Sequence, residues 1–315
     1  MTLVVRRIKG HEYYYSSLSY FLVDKPRSFS KYLGAKKPTV KELDAIEGRF
    51  EDEIIEKLSG KQYAAECVEK GEVIRSLLFR DLFNNKYVRL TAPMKRKYDI
   101  DSTVRFTLTT LTTEDVDVSL ADVRNAFEKG SSFTQKEQIS RNMLNAVEVI
   151  RRPRRLDKAY LLELHRIAMA SFDTKGPGRL RDRQVYLRRI SGGALKSAEL
   201  DYRPPASGKV SLLLDKFVDW YGSSSLNPLE KATAAHYKLY KIHPFLDGNK
   251  RICRLVFNKT MLDEGFPLLN VSAEKEKYFE ALIASVKKDR MGVLVGFIFK
   301  QYYKQVKEFL AAGRQ

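Results

Sequence analysis

The chain has 315 residues and a net charge of +18 (57 Lys and Arg against 39 Asp and Glu), with 43% hydrophobic and 30% charged residues. That apolar content supports a sizeable core and excludes a disordered chain, while the longest apolar run, Met291 to Phe299, falls far short of the roughly 20 residues that span a bilayer. The two cysteines, Cys67 and Cys253, exclude a disulfide framework and a cysteine metal site, and charge enters the N-terminus MTLVVRRIKG too early for a signal peptide. A cytoplasmic protein with no membrane insertion is expected, and its basic surface favours anionic partners: nucleotides, nucleic acid, an acidic protein face or an anionic membrane.

The N-terminal stretch is rich in strand formers. Leu3–Ile8, Glu12–Ser16, Ser19–Val23 and Ser28–Leu33 read as short strands broken at Lys9-Gly10, Ser16-Ser17 and Asp24-Lys25-Pro26. Thr39 with Glu42 three residues on has the spacing of a capping box, and the apolar positions Val40, Leu43, Ile46, Phe50, Ile54 and Leu58 follow a helical period up to Ser59-Gly60. A second helix is expected from Ala64 to about Phe83, while the threonine-rich Thr103–Thr113 is ambiguous between helix and extended chain. Helical periodicity resumes from Ser119 through Leu161–Ala170. Between Gly176 and Gly208 it vanishes: Gln184-Val185-Tyr186-Leu187 is strand-like, Gly192-Gly193 turns and Arg203-Pro204-Pro205 closes, so a β-hairpin is expected. Helices then follow over Ser211–Tyr221, from Pro228 with Asn227 as its cap to His243-Pro244, over Asn249–Glu264, and over Ala273–Lys288 and Gly292–Leu310. The expected fold is mainly α with a β-hairpin flap and a small N-terminal antiparallel β element. Residues 1–35 would form that β element, 36–100 a helical region and 101–315 a larger helical domain.

The chemistry concentrates in HPFLDGNKRICR, residues 243–254. On a wheel of about 100° per residue, Arg254 falls about 40° and Arg251 about 100° from Lys250, while Ile252, Leu255, Val256 and Leu262 cluster opposite. One face of the helix is therefore cationic and the other buried. Cations in a first turn oppose the helix dipole, and an anion bound there would resolve the conflict through free backbone N–H groups and guanidinium forks. Gly248 allows a tight turn or a close approach, Asp247 suits Mg²⁺ held mainly by phosphate oxygens, and His243 at the end of the preceding helix can accept a hydroxyl proton.

This segment resembles the signature of the Fic (Fido) family, H-x-F-x-[D/E]-G-N-G-R-x-x-R. The resemblance extends over roughly residues 105–305, through Asn142, Ala146, Ile150, Leu164-His165, Gly178-Arg179-Leu180-Arg181, His236, Arg254-Leu255, Tyr278 and Ala281-Leu282. It implies a helical fold and transfer of AMP from ATP to a Ser, Thr or Tyr hydroxyl of a protein. His243 would be the base, Asp247 would hold Mg²⁺, Gly248, Asn249 and Arg251 would bind the α- and β-phosphates, and Arg254 the γ-phosphate. The hairpin at about Arg183–Tyr202, with Gln184, Val185, Tyr186 and Leu187, would be a flap that aligns the target as an added strand. The expected partner is a protein with an acceptor hydroxyl, with an acidic target favoured by charge; a homodimer stays open.

Two positions bear on this implication. Lys250 stands where the family has its second glycine and resembles the Doc toxins, which move the γ-phosphoryl group instead, so Lys250 is a candidate phosphate-binding residue and a pointer to that alternative; it could equally point to solvent. Thr110-Leu111-Thr112-Thr113-Glu114-Asp115 resembles the family's inhibitory motif [S/T]-x-x-x-E-[G/N], with Asp115 departing from it, so Glu114 is expected to pair with Arg254 and restrain the enzyme. A binding module is the other class of reading. Tyr13, Tyr14, Tyr15, Tyr20 and Phe21 with Arg6, Arg7 and Lys9 could stack on nucleic acid, though a half-buried sheet explains them more simply. Arg151-Arg152-Pro153-Arg154-Arg155 reads first as a helix-end surface and second as a guide for an acidic target.

Overall fold

The computed structural model describes residues 2–23, 25–188 and 200–312, and is mainly helical with a small antiparallel sheet, as expected. The chain divides into two units: Met1–Lys86 with Ser225–Asn227 and Tyr303–Gln315, and Tyr87–Ser224 with Pro228–Tyr302.

In the first unit β1 (Thr2–Ile8), β2 (His11–Leu22) and β3 (Lys25–Gly34) form a sheet in the order β1-β2-β3, each neighbouring pair antiparallel. Lys9 and Gly10 both take positive φ (51° and 82°), the twist of a two-residue hairpin turn. The expected break at Ser16-Ser17 is absent. Ser16 pairs with Leu3 and Lys31, and Ser17 with Thr2 and Ser30, so ladders on both sides carry the central strand through two poor strand formers. Tyr14, Ser16, Leu18 and Leu22 face inward. The alternation divides the aromatics once grouped as a stacking surface, since Tyr14 is buried while Phe21 is exposed.

α1 (Val40–Ser59) starts with the Thr39–Glu42 capping box and stops at Gly60, whose φ of 71° ends the helix in the left-handed region. α2 (Lys70–Arg89) starts six residues later than expected, because Ala64 is held extended: its N–H donates to Ser225 O (2.9 Å) and its carbonyl accepts from Asn227 N–H (3.0 Å). The expected boundaries at residues 35 and 100 do not coincide with the units. Sheet, α1 and most of α2 belong together, and the end of α11 (Gly292–Ala311) joins them, with Tyr303 on Phe79 (4.9 Å between ring centroids) and Phe309 on Phe83 (4.6 Å).

The second unit holds α3 (Ala92–Thr112), α4 (Leu120–Glu128), α5 (Gln135–Arg151), α6 (Lys158–Ala168), the short strands β4 (Leu187–Arg188) and β5 (Leu200–Tyr202), α7 (Val210–Ser223), α8 (Pro228–Ile242), α9 (Asn249–Asp263) and α10 (Lys275–Lys287). The ambiguous threonines are helical, since Thr103, Thr107 and Thr110 all lie on the buried face of α3 and burial overrides their weak helix propensity. Ser119 with Asp122, and Thr134 with Glu137, close capping boxes on α4 and α5. Helix α9 packs against α3, α5, α6 and α8, and every residue from Arg251 to Met261 is buried.

A buried helix with this many polar residues needs internal partners for them, and most of α9's polar side chains have one, although Arg254 Nε and Nη1 lack a hydrogen-bond partner among the described residues. Asn258 exchanges two hydrogen bonds with the Leu269 backbone (2.7 Å from Leu269 N–H, 3.0 Å to Leu269 O), Lys259 pairs with Asp263 and Thr260 bonds the Tyr221 hydroxyl at 2.9 Å. Asn258→Ala would strand a buried donor and a buried acceptor on Leu269. We expect it to lower stability by about 2–4 kcal/mol, read from the urea midpoint, against about 1 kcal/mol for the exposed cap variant Thr39→Ala. Equal losses in the two variants would contradict this account of α9.

Candidate active site

The site is built on the turn between α8 and α9. His243 ends α8 with a φ of 49°, a left-handed conformation that a non-glycine residue adopts at a cost, and its own N–H still bonds Leu239 O at 2.9 Å. Asn249 fixes the rest of the turn. Its Oδ1 accepts from Phe245 N–H (2.9 Å) and its Nδ2 donates to Phe245 O (2.8 Å), so the side chain expected to touch phosphate is committed to the loop. Gly248 caps α9 with φ 71°, and a Cβ there would lie 2.5 Å from Met169 Sδ. Glycine is favoured here by conformation, and any Cβ would also push the Met169 side chain aside. The first N–H groups of α9 have no carbonyl behind them, as at any helix start.

Two residues absent from the sequence-derived roles hold the turn from outside. His165 is fully buried and stacks on Phe245 (3.7 Å between centroids, 4° between planes). Its Nδ1 accepts from Gly178 N–H (2.9 Å), so the proton sits on Nε2, which donates to Asp247 O (3.0 Å). Burial pushes its pKa down to about 4, against the opposing pull of the Asp247 carbonyl. Arg181 donates from its main-chain N–H to Pro244 O (2.9 Å) and from Nε to His243 O (2.7 Å). Both residues stood in the sequence only as matches to a pattern; a buried histidine and arginine give no periodic signal of what they bind.

The His243 ring is buried, with Nδ1 3.4 Å from Tyr240 O, which favours the proton on Nδ1 and leaves Nε2 to accept. Burial lowers its pKa to about 4, and the Tyr240 carbonyl only partly offsets this. It is therefore neutral, and able to take a proton, throughout the neutral range.

The cationic face of α9 is not exposed. Arg254 is fully buried and Arg251 nearly so, and both point at one carboxylate. Glu114, two residues beyond the end of α3, accepts from Arg251 Nε (2.8 Å) on Oε2 and from Arg254 Nη2 (2.7 Å) on Oε1. The pair with Arg254 was expected; the one with Arg251 was not. Arg254 Nη2 also donates to Thr110 O (3.0 Å), while Arg251 lies over the Phe172 ring at 4.9 Å. Asp115 takes φ 58°, which explains why Gly or Asn suits this position, and Asp is among the residues that tolerate it. Its carboxylate holds Lys275 at 2.6 Å.

Lys250 neither projects freely into solvent nor joins the two arginines on Glu114. Its ammonium lies 5.0 Å from the Phe279 ring centroid, and burial lowers its pKa while the Glu114 charge opposes that shift. Asp247 is half exposed, with Oδ1 accepting from Gly248 N–H (2.7 Å) and Oδ2 3.9 Å from Lys175 Nζ. No cluster of three metal-ligating side chains occurs among the described residues. A lone, partly exposed carboxylate fits Mg²⁺ that takes its other ligands from phosphate and water, and does not fit a metal caged by protein.

On the flap, Gln184 bonds Pro204 O (2.9 Å) and Val185 O (3.0 Å), and Tyr186 is half exposed beneath Arg203. Leu187 pairs with Tyr202, and Arg188 with Leu200. The expected Gly192-Gly193 turn lies outside the described residues. No helix among them is long and apolar enough to cross a membrane.

Residues 155–261, about a third of the chain, match the model of the Fic/DOC family. It is 37% identical to Protein adenylyltransferase Fic of Drosophila willistoni over 126 residues, which are 39% of this chain and 23% of that protein; the Drosophila erecta protein of the same name matches equally. The chain thus spans about a quarter of the length of these curated relatives. Its fold is similar to that of a Fic family protein from Desulfovibrio desulfuricans G20 (TM-score 0.65, 19% identity, 81% of this chain and 78% of that one). It is also similar to Fic-1, residues 134–508, from C. elegans (TM-score 0.62, 21% identity, 88% and 78%).

Three buried histidines have lowered pKa values: His165 at about 4, His236 at about 3 and His243 at about 4, against 6.5 in the unfolded chain. The unfolded chain binds these protons more tightly, so the stability they contribute is complete above about pH 6.5 and drains away as pH falls towards the folded values. Each histidine gives a slope of up to about 1.4 kcal/mol per pH unit. Tm should therefore drop between about pH 6.5 and 4.5, before carboxylates titrate. A flat Tm across that window would contradict the burial of these rings.

Proposed function

We propose that the chain is a Fic-type transferase that moves AMP from ATP to a Ser, Thr or Tyr hydroxyl of a protein. The observation that carries this reading is the pair of buried guanidiniums, Arg251 and Arg254, converging on one anion beside the open start of α9. Two buried cations one helical turn apart, next to free backbone N–H groups, suit a polyphosphate better than a single carboxylate. The adenylyltransferase name of the Drosophila relatives supports the same direction of transfer.

In this reaction the acceptor hydroxyl gives its proton to His243 Nε2 while its oxygen bonds the α-phosphorus. The bond from the α-phosphorus to the bridging oxygen breaks, and pyrophosphate leaves with the electron pair. Arg251 and Arg254 neutralise the charge that develops on the leaving group. Mg²⁺ would be held through Asp247 and would supply further neutralisation of the triphosphate. Gln184 to Leu187 would present the target as an added strand. The excess of basic residues suits an acidic protein target.

Glu114 restrains this activity by standing where phosphate charge is needed. Glu114→Gly should raise label transfer from ATP by about 5–150-fold. The same variant leaves both arginines without their carboxylate, at a cost of about 3–5 kcal/mol, so its Tm should fall without nucleotide and recover with Mg-ATP. His243→Ala should lower transfer by about 10²–10⁴-fold. The assay uses ATP labelled at the α- or the γ-phosphorus with a cell lysate as acceptor. Label from the α position supports AMP transfer; label from γ alone supports the phosphoryl transfer of the Doc toxins, the second reading, which rests on Lys250. Glu114→Gly with unchanged transfer and unchanged nucleotide affinity would remove the restraint from the account.

A further inference from the structure

Arg181 is buried, and among the described residues no carboxylate pairs with it. A cation in that position is disfavoured unless many dipoles surround it. Here every contact is a peptide carbonyl. Nε donates to His243 O at 2.7 Å, Nη1 to Arg183 O at 3.1 Å and Nη2 to Pro205 O, while the residue's own N–H donates to Pro244 O at 2.9 Å. These acceptors come from two places. His243 and Pro244 are the turn before α9; Arg183 and Pro205 are the two chain segments at the base of the β4–β5 hairpin.

The turn is where such a brace is needed. His243 is held at φ 49°, a strained conformation for a residue other than glycine that persists only if its surroundings over-determine it. Two of Arg181's four donations fix the carbonyls on either side of the His243–Pro244 bond, which sets where the His243 ring points. The other two fix the hairpin base to the guanidinium that also holds His243 O, while Pro244 O is held by the main-chain N–H. A guanidinium is rigid, so His243 O and the hairpin-base carbonyls cannot shift independently without losing a bond to a buried cation.

We infer that Arg181 is a positioning residue that couples the orientation of His243 to the seating of the flap, so that a target strand held on the flap meets a correctly aimed imidazole. The inference rests on the proposed transfer reaction for its consequence, but not for its geometry. Lysine has a compact ammonium in place of the fork and would reach only part of this carbonyl set; glutamine keeps neither the charge nor the fork.

The test uses the full chain, with Glu114→Gly in every variant so that the arginine pair is free for nucleotide. Amide hydrogen exchange is compared for Arg181→Gln, Arg181→Lys and the parent, alongside affinity for the N-methylanthraniloyl derivative of ATP and transfer of α-phosphorus label. In Arg181→Gln we expect exchange to rise together in the segments covering 183–186, 202–206 and 243–249, while α5 and the buried part of α9 keep their protection. Nucleotide affinity should hold while the maximal transfer rate falls about 10²-fold, the scale of an ångström of misplacement at a reacting group. Arg181→Lys should recover part of the rate, and it answers the question alone if Arg181→Gln fails to fold. Loosening of the hairpin base with full protection of 243–249 would overturn the coupling, as would a fall in nucleotide affinity that accounts for the whole loss of rate. If the parent transfers no label from either phosphorus, the functional reading fails, and the exchange pattern still decides whether Arg181 ties the two segments together.

Discussion

The structure of the helical unit turns on one carboxylate. Glu114 is the anion that allows Arg251 and Arg254 to lie inside the protein, one helical turn apart on a helix that is buried along most of its length. Two like charges this close, removed from water, are strongly disfavoured alone, and removing the partner of a buried pair costs about 3–5 kcal/mol. The demand reaches backwards along the chain. Helix α3 must extend far enough to deliver Glu114, and it does so by burying threonines that local propensity would not commit to a helix. The turn beyond must then reverse sharply, which Asp115 does at positive φ. Arg254 Nη2 also bonds the carbonyl of Thr110, so the same guanidinium holds the helix that supplies its counter-charge.

A second constraint meets the first at the start of α9. The proposed role of His243 as a base needs a neutral ring, aimed by a backbone that resists it. Burial secures the neutral form. The aim is secured by groups that hold main-chain atoms: Asn249 closes the loop on Phe245, His165 on Asp247 and Gly178, and Arg181 on His243 and Pro244. The polar residues around this turn are thus mostly braces, and few of their hydrogen-bonding atoms are left for a ligand. What stays open is the helix end itself, the Asp247 carboxylate and whatever replaces Glu114.

Much of this was legible in the sequence where the signal is local. The capping box at Thr39, the Lys9-Gly10 turn and the Pro228 helix start are each written within a few residues, and each appears where local chemistry puts it. The concentration of His243, Asp247, Arg251 and Arg254 in one segment was visible for the same reason. What was not legible depends on partners far along the chain. Ser16-Ser17 looks like a break until both neighbouring strands are known. Ala64 looks helical until Ser225 and Asn227 hold it extended. A helical wheel gives Arg251 and Arg254 a face, but whether that face meets water or a carboxylate 140 residues away is a tertiary fact. The bonds of Asn249 to the Phe245 backbone were hidden on similar grounds, because a side chain at a helix start gives no local sign of closing the loop before it.

The two departures from the family pattern then have physical readings that lean on the same carboxylate. Asp115 keeps the left-handed turn that glycine would make and adds a charge that holds Lys275 on α10. Lys250 brings a third cation to the first turn of α9, rests it on the Phe279 ring and is desolvated there, with the Glu114 charge working against that penalty. Three cations of one short helical segment therefore face few negative charges: Glu114 pairs with both arginines, while Glu114, Asp115 and Asp247 offset the desolvation of Lys250 without pairing with it. A ligand with several negative charges would answer the two buried guanidiniums better than one carboxylate does, and each added cation widens that difference. On this argument Lys250 need not touch a phosphate to favour one: by raising the local positive potential it weakens the hold of Glu114 relative to a polyanion.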